Sequence, residues 1–326
     1  MTSPSKLQEL INQRLQELNF SGDPATLYEP IRYMMALGGK RIRPVLVLMG
    51  TELFKGDLKQ ALSAATGIEV FHNFTLLHDD IMDNAPLRRA MPTVHAKWNS
   101  NIAILSGDAM FVKACQLMMD VPDHAVRKVM EVFNRTALEV CEGQQLDMDF
   151  ETEPSVNIDR YLDMIRLKTA VLVGCSLEVG AIIAGADDKA AQHLYDFGVN
   201  LGIAFQLQDD ILDVYGDAAK FGKQVGGDII ANKKTLLLLY AIASASGDLS
   251  VELANSLLMP VDAANAYQKV EAVKQIYNRL NVREYAETQM QSSYELALTH
   301  LDAIVASQEE KTALRELAKS LMIREH

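Results

Sequence analysis

Residues 199–214 read VNLGIAFQLQDDILDV and residues 68–83 read IEVFHNFTLLHDDIMD, and these two stretches decide the fold of the chain. Each runs through apolar residues at helical spacing and ends in the pattern Leu-x-Asp-Asp-Ile-x-Asp. Within each pattern the third aspartate lies four residues after the first and three after the second, and both spacings place side chains on one helix face. We therefore predict two buried helices that each end in an aspartate triad: Asp79-Asp80-Asp83 and Asp209-Asp210-Asp213.

Most of the remaining chain has the same helical spacing. Apolar residues recur in this way over 58–83, 102–119, 125–150, 158–184, 189–214, 233–245 and most of the C-terminal third. Short alternating runs between tight turns, which would indicate strands, are absent. No linker rich in proline or serine divides the 326 residues. The sequence thus predicts an all-α protein, folded as a single large helical bundle and as one domain over residues 1–326.

Composition argues against several classes of partner. The net charge of −12 disfavours nucleic acid and anionic membranes. The most apolar stretch, Thr169 to Ala186, contains Glu178 and is short for a membrane span, so we expect a buried helix and no span.

The three cysteines lie in apolar helical patterns, and we expect buried, reduced thiols in a cytoplasmic protein: Cys115, Cys141 and Cys175.

The triads are chemically costly unless a cation accompanies them. Clustered carboxylates repel one another, and each unpaired charge near a buried helix end costs several kcal/mol. Magnesium suits such a site, because it binds one or two carboxylates, keeps several waters and shares substrate phosphates. A single triad is more often a solvated helix face. Two copies with the same flanking leucine and isoleucine favour a paired magnesium site.

Basic residues accompany the triads in the sequence, as a site for an anion bound to metals requires. Residues 38–44, GGKRIRP, place two glycines before three cations, and glycine lets a backbone approach an anion closely. Alone, this segment fits a solvated turn equally well. Further cations follow the triads or interrupt an apolar helix: Arg88, Arg89, Lys168, Lys223 and Lys233. Together with the triads they indicate a substrate that carries diphosphate groups and an apolar remainder. Nucleophile elbows, zinc spacings, P-loops and dinucleotide fingerprints are absent.

In these residues the chain resembles the trans-isoprenyl diphosphate synthases of the polyprenyl synthetase family. The resemblance runs from about Tyr33 to Leu239 and rests on GGKRIRP, FHNFTLLHDDIMD with NAPLRRAMPTVH, LSGDAMF, KTA, FQLQDDILDVYGD, GKQVGGDI and NKKTLL. It implies an isoprenoid-synthase-like bundle with a central cavity, and a homodimer. It also implies head-to-tail condensation of isopentenyl diphosphate with an allylic diphosphate (dimethylallyl, geranyl or farnesyl), with release of pyrophosphate.

The resemblance further implies roles for individual residues. Three magnesium ions on the allylic diphosphate would be bound by Asp79, Asp80, Asp83, Asp209 and Asp210, with Asp213 as an outer partner. The same diphosphate would be held by Arg88, Lys168, Lys223 and Lys233. Isopentenyl diphosphate would be held by Lys40, Arg43, His72 and Arg89, with Phe205 nearby. The developing carbocation would face Thr169, Gln206 and the Lys168 carbonyl. His72 lies two helical turns before Asp79 on the same face, which favours this role over that of a core histidine.

Two positions depart from the family pattern. Ala90 stands where the family usually has glycine after the arginine pair, so a positive φ there would add modest strain. The C-terminus, Ile323 to His326, is less basic than in many relatives, which puts a C-terminal lid contact in doubt.

Product length is predicted from the first triad helix. Phe74 lies five residues before Asp79, about 7.5 Å along the helix axis at a rise of about 1.5 Å per residue. Phe71 lies one turn beyond it, and Thr75 beside it is small. Plain core packing is the alternative explanation for both aromatic residues. In the family, a bulky residue at the position of Phe74 limits the product to short chains. We therefore expect a product of twenty carbons, geranylgeranyl diphosphate, with farnesyl diphosphate or a longer polyprenyl diphosphate as alternatives.

Three rival interpretations are distinguishable. A terpene cyclase would replace the second triad by a metal motif of Asn/Asp, Ser/Thr and Glu, and would lack the set formed by Lys40, Arg43 and His72. A non-catalytic partner subunit of a heteromeric synthase tends to have lost triad carboxylates or arginines, which this chain keeps. A purely structural helical protein leaves the six aspartates unexplained.

Overall fold

The computed structural model describes residues 2–216, 226–261 and 265–322. Its first ten helices are α1 (Pro4–Glu17), α2 (Ala25–Ala36), α3 (Ile42–Leu53), α4 (Leu58–Met82), α5 (Val94–Lys97), α6 (Ser100–Met119), α7 (Asp123–Thr152), α8 (Ile158–Ile165), α9 (Val171–Ile183) and α10 (Asp188–Tyr215). Six more follow: α11 (Gly227–Ile230), α12 (Leu236–Ser244), α13 (Asp248–Leu257), α14 (Ala266–Arg279), α15 (Val282–Ala303) and α16 (Gln308–Met322). Two strands, β1 (Leu87–Arg88) and β2 (Met91–Pro92), pair antiparallel between α4 and α5.

Side-chain caps fix where several of these helices begin. The Asp57 carboxylate accepts a hydrogen bond from the Lys59 N–H at 2.9 Å, at the start of α4. The Asn99 side chain accepts one from the Ile102 N–H at 2.9 Å, at the start of α6. Each cap satisfies one of the backbone N–H groups that the first helical turn leaves unpaired. The start of the first triad helix, α4, is thus set by local sequence.

The chain divides into two compact units. The first unit comprises Met1–Arg135, Cys175–Tyr195 and Ile304–Leu314. The second unit comprises Thr136–Gly174, Asp196–Ala303 and Arg315–His326. The first triad belongs to the first unit and the second triad to the second unit. Single-domain organisation over 1–326 and a central cavity stay predictions.

In the first unit, α4 is the central helix. It packs against α6 and α3, and the side chains from Ala64 to Phe71 are buried around its whole circumference. The fully buried residues around it include Leu46, Leu48 and Met110. A helix that is buried on all sides has no polar face, which is why its sequence shows little amphipathic pattern.

In the second unit, one apolar core surrounds the end of α10. Leu207, Ile211 and Val214 of α10 are buried together with the side chains of α8, α12, α14 and α15, among them Tyr161 and Tyr277. This core surrounds the helix that carries the second triad, which confirms that both triads end apolar helices.

The all-α prediction is confirmed, with three local corrections. Residues 158–184 do not form one regular helix, because the π-helical segment Arg166–Ala170 separates α8 from α9. The helix expected from residue 233 begins at Leu236. The hairpin of β1 and β2 was not predicted, since strands of two residues are too short to show an alternating pattern.

The cysteine prediction was partly wrong. All three thiols are free, as expected, but only Cys175 is buried. Cys115 is half-buried and Cys141 is exposed on α7.

One helix among the described residues, α6, is long and apolar enough to cross a membrane by length and composition alone. Such helices also occur in protein interiors, and α6 packs closely on α4 and α2. Length and composition are therefore weak evidence for a span.

Candidate active site

The first triad lies where α4 ends and is paired with Arg88. Asp80 is only 2% exposed, and its two carboxylate oxygens accept hydrogen bonds from the Arg88 Nε at 2.9 and 2.8 Å. The Arg88 Nη2 lies 2.7 Å from Asp80 Oδ1 and 3.8 Å from Asp79 Oδ2. Asp83 is the first residue after α4 and is exposed. The arginine thus offsets part of the repulsion between the carboxylates, while Asp83 faces solvent.

The arginine pair is presented by the hairpin. Leu87 pairs with Pro92 and Arg88 with Met91, so Arg89 and Ala90 form a two-residue turn. Both have positive φ, 53° and 62°, which is the combination of a type I′ turn. Because φ is positive at Ala90, the modest strain expected for an alanine at this position is present. The tight turn separates the two arginines: Arg88 pairs with Asp80, whereas Arg89 donates to the Gly38 carbonyl.

A cluster of arginines surrounds His72 in the first unit. The Arg43 Nη1 lies 3.3 Å from His72 Nε2. Burial lowers the His72 pKa well below its usual value, and the positive charges of Arg43, Arg89, Arg88 and Arg41 lower the pKa further. Three residues predicted for isopentenyl diphosphate, Arg43, His72 and Arg89, are thus close together. Lys40 is exposed on the adjoining segment. Such an excess of positive charge suits an anionic ligand.

The second triad is arranged around buried Asp210. This carboxylate is 4% exposed and accepts hydrogen bonds from the Tyr161 hydroxyl and from the Gln206 Nε2, the latter at 3.1 Å. Burial raises the Asp210 pKa to about 7, and the Asp228 charge adds to the rise. The hydrogen bonds from Tyr161 and Gln206 and the charge of Lys233 lower the pKa only in part. Burial thus disfavours the charged form of Asp210 on its own, and a divalent cation fits the all-carboxylate donor set of the triad.

Asp213 connects α10 to the segment that follows it. Its Oδ2 accepts a hydrogen bond from the Asp228 N–H at 3.0 Å, and its carbonyl accepts one from the Gly226 N–H at 2.6 Å. The Lys233 N–H donates in turn to the Asp228 carbonyl at 2.9 Å. These contacts join the end of α10 to the start of α11, and an outer position for Asp213 stays a prediction. Lys223 lies outside the described residues, as does the C-terminal segment 323–326.

The predicted catalytic residues Lys168 and Thr169 lie in the π-helical segment. There the Val171 N–H bonds to the Arg166 carbonyl, five residues back, and such bulges are frequent at functional sites. Gly143 of α7 makes room for the bulge, because a Cβ there would lie 2.2 Å from the Lys168 nitrogen. The Lys168 Nζ donates to Asp147 Oδ2 at 2.5 Å.

Thr169 and Gln206 are in contact: the Thr169 hydroxyl donates to Gln206 Oε1 at 3.4 Å. Gln206 in turn donates to Asp210, so two predicted catalytic residues and one predicted metal ligand form one hydrogen-bonded chain. Phe205 is half-buried beside Gln206 on α10.

The predicted chain-length residues belong to an aromatic cluster in the first unit. Phe74 packs against Phe71 and Phe111, with ring centroids 5.6 and 5.4 Å apart. Phe71 packs against Phe133 at 5.2 Å. On the triad side, Phe74 packs edge-to-face with His78, with ring centroids 4.8 Å apart. The Thr75 hydroxyl donates a hydrogen bond within the helix, to the His72 carbonyl at 2.8 Å. Phe74 is thus the member of this cluster nearest the triad along α4.

Sequence reasoning missed several residues of these sites. Asp147 had no distinct signal, because charged residues recur along its helix, such as Glu142 and Asp149. Asp228 lies in a stretch that resembles the family, GKQVGGDI, but no role had been given to it. Tyr161 and Glu69 had no distinct signal: an aromatic residue at helical spacing looks like core, and one acid on a helix looks like a solvated face.

Comparison with known proteins gives consistent matches. The sequence pattern of the polyprenyl synthetase family matches residues 24–280. The chain is 35% identical over 320 residues to the geranylgeranyl pyrophosphate synthase of Geoglobus acetivorans, covering 98% of this chain and 97% of the relative. It is 43% identical over 220 residues to the geranylgeranyl diphosphate synthase of Methanosarcina mazei, covering 67% of this chain and 68% of that protein. A crystal structure of a geranylgeranyl pyrophosphate synthase superimposes with a TM-score of 0.95 at 44% identity, covering 100% of both chains.

Proposed function

The chain belongs to the polyprenyl synthetase family, and from that premise we propose that it is a short-chain trans-isoprenyl diphosphate synthase. It joins isopentenyl diphosphate head to tail to dimethylallyl, geranyl and farnesyl diphosphate, and its product is geranylgeranyl diphosphate. The observation that carries this proposal is the arginine cluster around His72. His72 lies on α4, the helix that also carries the first aspartate triad. A diphosphate site beside the triad is what a synthase needs for its second substrate and what a terpene cyclase lacks.

The reaction breaks the allylic C–O bond and one C–H bond, forms a new C–C bond and shifts the position of a double bond. The allylic C–O bond breaks and pyrophosphate leaves with the electron pair. The double bond of isopentenyl diphosphate then attacks the allylic carbon, which forms the new C–C bond. A proton is lost next to the resulting cation, and the released pyrophosphate accepts it. The family resemblance implies this role for pyrophosphate, so no protein side chain is assigned as the base.

The two triads are proposed to hold magnesium on the allylic diphosphate: Asp79, Asp80, Asp83, Asp209 and Asp210, with Asp213 as an outer partner. When bound, magnesium stabilises the negative charge that develops on the departing pyrophosphate. Three ions per site are proposed by family likeness. The all-oxygen donor set and the raised pKa of Asp210 support this role.

The cations are proposed to divide between the two substrates. The allylic diphosphate is held by Arg88, Lys168, Lys223 and Lys233. Isopentenyl diphosphate is held by Lys40, Arg43, His72 and Arg89, with Phe205 nearby. Neutral oxygens suit the space around the carbocation, because they stabilise it without trapping it: the Thr169 hydroxyl, the Gln206 amide and the Lys168 carbonyl. The hydrogen-bonded chain from Thr169 to Asp210 supports this orientation.

A second copy of this chain is the proposed partner. The α6 side chains Leu105, Val112 and Met119 recur every seven residues and are between 56% and 60% exposed, with Ile104 beside them. An apolar stripe on a helix that otherwise packs into the unit suits burial against the same stripe of a second chain. Leu105→Glu is expected to give monomers in light scattering, whereas Lys113→Glu on the same helix leaves a dimer.

The assay that tests the proposed activity uses labelled isopentenyl diphosphate with each allylic primer, in magnesium or in EDTA. We expect elongation of all three primers in magnesium and none in EDTA. If no primer is elongated in magnesium, the enzyme interpretation fails and that of a non-catalytic partner subunit gains.

A further inference from the structure

The segment of residues 38–41, between α2 and α3, is held at both ends by arginine side chains. At its start, the Gly38 carbonyl accepts a hydrogen bond from Arg89 Nη1. Gly39 lies against the same guanidinium, because a Cβ there would be 3.1 Å from Arg89 Nη2. At its end, Arg41 turns its own side chain into the protein and is 7% exposed. The segment is therefore fixed at two points: the Arg89 side chain binds its backbone from outside, and its own Arg41 side chain reaches into the protein.

The inward contact of Arg41 ends on Glu69 of α4. Arg41 Nη1 donates to Glu69 Oε1, and Arg41 Nη2 donates to the Met35 carbonyl at 3.2 Å. Glu69 is 3% exposed, so the ion pair is shielded from water. One guanidinium thus connects the end of α2, the start of α3 and the middle of the first triad helix.

Glu69 is itself held in one orientation. The Asn73 Nδ2 donates to Glu69 Oε1 at 3.0 Å and to the Glu69 carbonyl at 2.8 Å. Asn73 is fully buried. A buried charge pair contributes little net stability, because desolvation offsets its attraction, but it does favour one geometry over others. The pair formed by Arg41 and Glu69 is therefore better suited to fixing a conformation than to adding stability.

The ion pair stabilises an unusual backbone conformation at Arg41. Its φ and ψ are 52° and 31°, a left-handed conformation at the start of α3. For a residue with a Cβ this conformation is sterically unfavourable, and it persists only where surrounding contacts enforce it. Lys40 precedes this residue and Arg43 follows two positions later. A change in the Arg41 backbone would therefore redirect both of them.

We propose that Glu69 is a positioning residue for isopentenyl diphosphate, because through Arg41 it fixes the segment 38–41 and so orients Lys40, Arg43 and Arg89. This inference rests on the proposed function. Glu69 and Arg41 do not touch the substrate themselves. They set the geometry of the cations that do.

Removing the Glu69 charge changes the affinity for isopentenyl diphosphate in opposite directions under a positioning role and under simple electrostatics. Glu69 carries a negative charge close to a site for an anion, so by charge alone its removal would tighten binding of isopentenyl diphosphate. If Glu69 positions the cations, its removal weakens binding instead. Glu69→Gln keeps the shape and removes the charge, and Glu69→Asp keeps the charge but shortens the reach to Arg41.

The test is steady-state kinetics with each substrate varied in turn, together with calorimetric binding of isopentenyl diphosphate. For both variants we expect KM and Kd for isopentenyl diphosphate to rise about tenfold, the effect of losing one charged hydrogen bond. KM for the allylic diphosphate and kcat are expected to stay within about twofold. The matched control is Glu178→Gln, which removes another shielded carboxylate paired with an arginine, Arg135, in the same unit, and should leave all values unchanged.

A double variant guards against misfolding. Arg41→Met with Glu69→Leu removes the pair without leaving a buried charge, a replacement that is often neutral for stability. We expect wild-type circular dichroism and melting temperature, with KM for isopentenyl diphosphate still raised. A folded double variant with wild-type KM and Kd, or tighter binding in Glu69→Gln, would overturn the inference. Failure of the wild-type enzyme to elongate any primer is a separate result and contradicts the proposed function itself.

Discussion

At the residue scale, the second triad shows how neighbours adjust one carboxylate. Both oxygens of Asp210 already accept hydrogen bonds, from Tyr161 and from Gln206, yet its pKa is raised to about 7 because burial outweighs them. Each carboxylate oxygen keeps a second lone pair for a cation. The two donors therefore orient Asp210 without preventing it from binding a metal.

Removing the Tyr161 hydroxyl should weaken magnesium binding. Tyr161→Phe leaves the buried ring in place and frees Asp210 to rotate, and loss of such an outer partner typically weakens metal binding by about 10- to 100-fold. We expect the magnesium concentration for half-maximal activity to rise by about tenfold or more, and the rise of melting temperature with magnesium to need correspondingly more metal. The control is Tyr285→Phe, whose ring stacks on Tyr240 in the same unit. Unchanged magnesium dependence in Tyr161→Phe would count against the orienting role.

The arginine cluster predicts a pH effect on stability. The His72 pKa is lowered well below 6.5 by burial and by the arginines. Below pH 6.5 the unfolded chain therefore binds a proton at this residue that the folded protein does not, so the stability present above pH 6.5 is lost as the pH falls. His72→Gln should show a smaller drop in melting temperature from pH 8 to pH 5.5. The control His124→Gln, at an exposed site, should behave like the wild type. An equal drop in His72→Gln would refute a lowered pKa.

Residue identities were predictable where chemistry requires a cluster. Six aspartates and a row of cations are visible in the sequence because they break the apolar pattern of their helices. Tyr161, Glu69 and Arg41 were not assigned roles, since their importance depends on which side chain each one meets. Only the folded chain shows that Tyr161 meets Asp210 and that Arg41 meets Glu69.

At the scale of elements, α4 carries residues proposed for three functions: metal binding, binding of isopentenyl diphosphate and control of product length. Its last turns carry the triad, its middle carries His72 and Glu69, and Phe74 lies between them within the aromatic cluster. Because the helix is rigid, the distance from the triad to Phe74 is fixed at about 7.5 Å along the axis. That distance is the basis of the predicted product length.

Phe74→Ala should lengthen the product. Removing the ring opens space next to the triad, and the growing chain then meets Phe71 one turn further on. Product chromatography should show chains longer than geranylgeranyl diphosphate. Phe71→Leu alone should leave the length unchanged, because Phe74 still blocks the path, while the double variant should give the longest chains. An unchanged length distribution in Phe74→Ala would mean that Phe74 is ordinary core.

Ala90→Gly should stabilise the hairpin. Both turn residues have positive φ, and glycine adopts this conformation without steric cost. Relief of about 1–2 kcal/mol is partly offset by the greater freedom of glycine in the unfolded chain, which leaves on the order of 0.5–1 kcal/mol. The melting temperature should follow the order Gly, Ala, Val at position 90, since a β-branched residue tolerates this φ least. A lower melting temperature for the glycine variant would contradict the argument.

Element types were predictable and local irregularities were not. Periodicity located the long helices to within a few residues, because burial of an apolar stripe requires it. The π-helical segment at Lys168 escaped detection, since one extra residue in a helix hardly changes its apolar spacing. The hairpin escaped as well, and so did the conformation of Arg89 and Ala90, because a type I′ turn usually shows itself through asparagine and glycine.

At the scale of the whole molecule, the net charge of the chain has the same sign as the charge of its proposed ligands. The chain has a net charge of −12, yet it is proposed to bind two polyanions. Four arginines lie close enough to His72 to lower its pKa, and each triad holds three carboxylates, where magnesium would reverse the local sign of charge. The net charge therefore disfavours nucleic acid and anionic membranes as partners, whereas only the local clusters indicate a diphosphate ligand.

The most direct test of the whole account is the identity of the product formed from dimethylallyl diphosphate and excess isopentenyl diphosphate in magnesium. Mass spectrometry of the diphosphate product, with pyrophosphate measured in parallel, reports bond formation and chain length together. We predict geranylgeranyl diphosphate as the main product, with one pyrophosphate released for each isopentenyl diphosphate consumed. No elongation, or accumulation of long polyprenyl chains by the wild-type enzyme, would contradict the account.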